Sequence, residues 1–258
     1  MPDNALYVYG IVKFGFDLDW RETGIEEKNV YTISESDFSA LVHDCEEMPY
    51  ISEDPNKIKE LIIAHNKILD KAMLHFGGVI PLHFNTIIKK GDNSSENNLK
   101  MWLYNDKERL ERIWNMVKGR KEYGIRIYYD KEKLMQEASK KREIEAIEKS
   151  IEGKSEGLSY LLKSKAKSML NEIVQNNINE FKKKIYNDIK MLVNDARVST
   201  SRIFIDEEKD LLLTLSALDS ELQTDEIKKM LEGKYGNIFS FQVAGPFAPY
   251  SFVQNEAQ

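Results

Sequence analysis

Cysteine, proline and histidine are scarce in this chain: one, six and four residues in 258. A single Cys45 rules out an internal disulfide framework and fits a reducing compartment. No apolar run approaches the roughly 20 residues needed to span a bilayer. The first residues show no basic segment followed by an apolar block, so cytoplasmic residence is expected. The histidines and the cysteine form neither HExxH nor CxxC, so no metal, cofactor or catalytic centre is expected. Neither the glycine-lysine phosphate loop nor GxGxxG occurs, which removes the usual nucleotide cradles. The paired carboxylates Glu46-Glu47 and Asp206-Glu207-Glu208 fall at strand ends or in loops, where solvation accounts for them.

What is present is a globular composition, 41% hydrophobic and 31% charged. The length favours two domains. A net charge of −6 hides an uneven distribution. Residues 1–130 carry 17 basic and 22 acidic side chains, residues 131–190 carry 14 and 10, and residues 191–258 carry 6 and 11. The basic middle reads as solvated helix surface. Its Lys182-Lys183-Lys184 cluster lacks interleaved aromatics, so nucleic acid is not an expected partner.

Strand patterns appear at residues 5–12 (ALYVYGIV), 29–33 and 38–44. From Pro55 the residues Ile58, Leu61, Ile62, His65, Leu69, Ala72, Met73 and Phe76 recur every three or four positions, the stripe of an amphipathic helix. His65 on that stripe is expected to be a core histidine with satisfied nitrogens. The helix should stop at Gly77-Gly78 with a left-handed cap and enter the strand VIPLHF, whose Pro81 places it at a sheet edge or bulge. A helix then follows Asn93-Ser94-Ser95, and YGIRIYY (residues 123–129) should close the first domain as its last strand. The expected fold class is α+β in two domains: a ferredoxin-like sandwich over residues 1–130, and over 131–258 a domain with long helices and a small antiparallel sheet.

In the second domain, one helix should hold Leu134, Ala138, Ile144, Ile147 and Ile151. A longer one should run from Leu158 to Leu192, packed on a sheet rather than in a coiled coil. Strands are expected at residues 198–205, 210–218 and 239–245, with a helix from Thr224 to about Leu231. The chain closes on GPFAPYSFV (residues 245–253). Pro246 and Pro249 should hold the backbone extended and forbid a helix, and Phe247, Tyr250 and Phe252 offer large apolar faces. This tail is expected to dock on the second domain's core.

Two of these stretches carry a resemblance. The helix, glycine turn and PLHFNT of residues 65–86, together with GPFAPYSFV, resemble the gas vesicle protein L/F family, whose members have a PLRFGT-like turn and a GPWPPYSF-like ending. His83 stands in the place of an arginine, Asn85 of a glycine, Phe247 of a tryptophan and Ala248 of a proline. The resemblance implies an accessory, minor structural protein of the gas vesicle, without enzymatic activity. It implies as partners the small hydrophobic shell protein and other gas vesicle accessory proteins, no membrane, and residence in the cytoplasm at the vesicle. Phe247, Tyr250, Phe252, His83 and Phe84 are the candidate protein-binding residues. The oligomeric state is left open. Two other classes compete with this reading: a ligand-responsive regulator or small-molecule enzyme on ferredoxin-like domains, which needs a pocket of convergent polar groups, and a nucleic-acid-binding module using the basic middle.

Overall fold

The computed structural model describes residues 5–140, 146, 149–151, 154–199 and 210–253. The chain divides into two compact units. The first runs to Glu122 and takes back Leu218–Glu221 and the chain from Pro246, while the second holds Tyr123–Ala217 and Leu222–Gly245. The α+β class expected from the sequence is the class observed, with two separate sheets.

In the first unit β1 (Ala5–Val12) is buried along its whole length and sits inside the sheet. It pairs antiparallel with β4 (Phe38–Cys45), which pairs with β3 (Asn29–Glu35) and then β2 (Glu22–Thr23). The other side of β1 is shared by β5 (Ile80–Pro81) and β6 (Ile87–Lys89). Pro81 therefore lies at the sheet edge, where its missing N–H costs nothing. VIPLHF supplies only this two-residue strand, because the chain turns at residues 82–86.

Helix α1 (Pro55–Phe76) begins with Asp54 accepting a bond from Asn56 N–H and with Pro55 in the first turn. It buries Leu61, His65, Ile68, Leu69 and Ala72, and ends on Gly77 at φ 75°, the left-handed cap its sequence calls for. The expected helix after Ser94 is two: α2 (Ser95–Asn105) and α3 (Lys107–Val117), parted at Asp106. Leu99, Leu103, Leu110, Ile113, Trp114 and Val117 join one core with α1 and the sheet.

The second unit contains β7 (Lys121–Tyr129), α4 (Lys131–Ser139), α5 (Glu156–Lys190), β8 (Asp195–Val198), β9 (Asp210–Asp219), α6 (Thr224–Tyr235) and β10 (Phe239–Phe247). Its sheet has the order β10-β7-β9-β8. Read along the chain, its four strands stand in the order 4-1-3-2, the ferredoxin-like arrangement, so that pattern falls here and not in residues 1–130. The reason is β7. The strand expected to close the first sheet instead lies between β9 and β10, and its Tyr123, Ile125 and Ile127 belong to the second core.

Helix α5 has 35 residues, on the order of 50 Å. Val174, Ile178, Ile185 and Ile189 enter the second core, as expected of packing on a sheet, but nothing between Glu156 and Ile173 is fully buried. Ile144, Ile147, Asp206-Glu207-Glu208 and the end of the strand expected at 198–205 lie outside the described residues.

Candidate functional site

Alternation along β1 turns Tyr7 and Tyr9 to one face, and register sets His43 of β4 opposite Tyr7. Tyr7 and His43 stack at 4.9 Å between ring centroids. His65 comes down from α1 onto the same face, stacked on Tyr9 at 5.3 Å. Gly24 lies against this group so closely that a Cβ there would meet the Tyr9 hydroxyl at 2.0 Å.

The proton arrangement at His65 follows from its partners. Nε2 faces the Leu82 carbonyl at 3.2 Å, so Nε2 carries the hydrogen and Nδ1 accepts from the Tyr7 hydroxyl at 2.8 Å. The Asn85 N–H donates to the same Tyr7 oxygen at 3.2 Å. Nε2–H also reaches the Tyr250 hydroxyl at 3.0 Å, and Tyr250 passes its own proton to Asn66 Oδ1 at 3.0 Å. Burial holds the His65 pKa down at about 4. It likewise pushes the phenols of Tyr7, Tyr9 and Tyr250 well above the ordinary tyrosine range. A parallel chain runs from Ile25 N–H through Tyr9 and His43 to Tyr50. Asn85, at φ 68°, then clamps Tyr50 by accepting from its N–H and donating to its carbonyl.

The C-terminal segment closes over this cluster. Against the expectation of a helix-free tail, a short helical turn, α7 (Tyr250–Val253), follows Pro249, because proline blocks a helix interior and not the residues that come after it. The turn buries Phe252 completely, and Ala248 and Val253 join the first unit's core. Ser251 donates through both its N–H and its hydroxyl to the buried Glu122 carboxylate, at 2.8 and 2.6 Å. This overturns the expectation that the tail docks on the second core. The polar partners that place it, His65, Asn66 and Glu122, all belong to the first unit.

Of the candidate binding residues, Phe252 is inside, Tyr250 is mostly buried, Phe84 is half-buried, and His83 and Phe247 are exposed. His83 and Tyr250 lie 6.4 Å apart between ring centroids. Beside them an apolar cavity of about 180 Å³ is lined by Ile80, Leu82, His83, Trp102, Ile113 and Val253, among others.

Sequence reasoning reached His65 but not its partners. Tyr7, Tyr9 and His43 share a face that strand alternation displays, whereas Tyr250 and Asn66 lie 184 residues apart and leave no local signal. As chemistry the cluster is a lock. Each nitrogen of its two imidazoles is hydrogen-bonded, and no buried side-chain nitrogen or oxygen lacks a partner among the described residues. No group of three or more metal-ligating side chains occurs among those residues. In the second unit a depression of about 550 Å³ contains Asp130 and Lys133, but Asp130 caps α4 and Lys133 donates to the Asn237 carbonyl. Among the described residues, no helix is long and apolar enough to cross a membrane.

Fold and site thus define a two-unit α+β protein whose buried polar groups hold segments together. The family model of the gas vesicle synthesis protein GvpL/GvpF matches residues 5–254, and the chain belongs to that family. It is 26% identical to gas vesicle protein L of Haloferax mediterranei, over 92% of this chain and 74% of that one. To gas vesicle protein F of the same organism it is 25% identical, over 98% and 94%. The fold matches the crystal structure of GvpF from Anabaena sp. PCC7120 with a TM-score of 0.68 at 19% identity, covering 97% of this chain and 98% of the other.

Proposed function

We propose that this chain is a non-enzymatic accessory protein of gas vesicle assembly, which binds the small hydrophobic shell protein in the cytoplasm and keeps it competent to assemble. The observation that carries the reading is the family match over residues 5–254. A shell subunit with apolar surface aggregates in water, and a water-compatible partner that covers that surface prevents it. His83 and Phe247 are the accessible members of the candidate face, with Phe247 48% exposed. Phe84 is half-buried and Tyr250 and Phe252 are more deeply buried, so these three are the less accessible candidates. Other accessory proteins of the vesicle are the remaining partners in this reading.

The test is a solubility assay. Purified shell protein diluted from denaturant should stay in the supernatant in the presence of the full chain, and Phe247→Ser should weaken that effect without lowering the melting temperature. Equal sedimentation with and without the chain would refute the proposal.

A further inference from the structure

The sheet of the second unit has one long, unguarded edge. In the order β10-β7-β9-β8, no strand among the described residues lies on the far side of β10. The other edge strands are short or guarded. β2 and β5 have two residues each, with Glu22 in one and Pro81 in the other; β6 has three and ends on Lys89; β8 carries Asp195 and Arg197. Charge and proline at an edge discourage further pairing. β10 has nine residues, FSFQVAGPF, and no charge among them, in a chain that is 31% charged.

The backbone of this edge points outward in a definite register. The Asp130 N–H donates to the Ile238 carbonyl at 2.9 Å, and a Cβ on Gly124 would meet the Ala244 carbonyl oxygen at 4.0 Å. The two contacts step in opposite directions along β7 and β10, an antiparallel register in which the even-numbered residues of β10 turn their backbone groups to β7. Phe239, Phe241 and Val243 therefore turn theirs away from it. Pro246 comes after Gly245, whose φ of 119° leaves strand geometry, and does not interrupt this row. Only an extended chain supplies donors and acceptors at that spacing. The side chains favour one such chain, β10 itself. Laid antiparallel to a copy about Phe241, the strand sets Phe241 opposite its counterpart, Phe239 opposite Val243 and Ser240 opposite Gln242. Apolar residues then meet apolar ones on the face toward α5, where Phe239 packs on Phe181, Phe241 reaches the second core and Val243 is 37% exposed. Polar residues meet on the other face, where Ser240 and Gln242 are exposed, and no like charges are brought together.

We infer that β10 pairs with β10 of a second copy of this chain, joining two four-stranded sheets across a twofold axis. This goes beyond the accessory role above and needs no shell protein. Sedimentation of the purified full chain should show a concentration-dependent dimer. Val243→Lys, which puts an ammonium into the row at an already exposed position, should make the chain monomeric at an unchanged melting temperature. Val198→Lys, on β8 at the other edge, should leave the dimer intact. The register has its own readout. Residues opposite each other at a site without hydrogen bonds lie about 4.5 Å apart between Cα atoms, within disulfide reach. An oxidised mixture of Ser240→Cys and Gln242→Cys chains should therefore cross-link in pairs, and either variant alone should cross-link far less. A wild-type chain that stays monomeric, a dimer that survives Val243→Lys, or cross-linking as strong in either single variant as in the mixture would overturn the inference, the first of these leaving the edge to a strand of another protein.

Discussion

At His65 one side chain sets a pH dependence. Burial lowers its folded pKa to about 4 from an ordinary 6.5, so the folded state excludes a proton that the unfolded chain accepts. The stabilisation from neutral His65 is therefore complete above about pH 6.5 and is lost as pH falls towards 4. At 1.36 kcal/mol per unit this amounts to about 3 kcal/mol. Protonation would place a second donor against Tyr7, whose oxygen already accepts from Asn85. Denaturant melts between pH 7 and 4 should show that loss in the wild type, and His65→Gln should flatten the slope while lowering stability at pH 7. A slope of equal size in the variant would remove His65 from the account. The position was legible because a histidine on an apolar stripe must satisfy two nitrogens. The identity of the satisfying groups was not, since they come from β1, the 82–86 turn and the C-terminus.

Elements were legible where one segment settles its own structure. The spacing in α1, its proline start and its Gly77 stop are all local, and the observed helix follows them. Pairing was less so. β7 alternates as a strand of either sheet would, and only β9 and β10 decide which sheet it joins. Asn85 belongs to this scale because it fastens the loop carrying Tyr50 to the turn after β5. Asn85→Ala removes two hydrogen bonds and leaves a Cβ residue at positive φ, an expected loss of about 2 kcal/mol. Asn85→Gly should recover only the backbone share, so thermal melts should rank wild type above glycine above alanine; an alanine variant as stable as wild type would leave the clamp without energetic weight. Helix α5 makes a second test. Its half up to residue 173 buries nothing fully, whereas Val174 to Ile189 enter the core. Amide exchange should be faster before residue 173 than after it, and uniform protection along all 35 residues would contradict this division.

Taken as a whole molecule, the chain does not finish its first unit until its last described residues. A sequence read from left to right assigns GPFAPYSFV to the nearer domain, because the bonds from Tyr250 to Asn66 and from Ser251 to Glu122 span 184 and 129 positions. The consequence can be measured. Phe252 and Val253 are buried and Tyr250 mostly so; at roughly 25 cal/mol per Å², with 150 Å² or more for each aromatic ring, their burial contributes several kcal/mol. That is a large share of a domain's net 5 to about 15 kcal/mol. Loss of the segment would also leave the Glu122 carboxylate and one donor of His65 without these partners. A chain ending at Ala244 should therefore lose stability in the first unit specifically. The three tryptophans, Trp20, Trp102 and Trp114, all lie in that unit, so their fluorescence reports it alone, whereas much of the helical circular dichroism comes from α5 in the second. Truncation should move the fluorescence transition to lower temperature and leave part of the helical signal melting as before. Tyr250→Ala should reproduce much of the shift, and Tyr250→Phe only the smaller part due to its two hydrogen bonds. If the truncated chain kept its fluorescence transition, the segment would be resting on the first unit without holding it together.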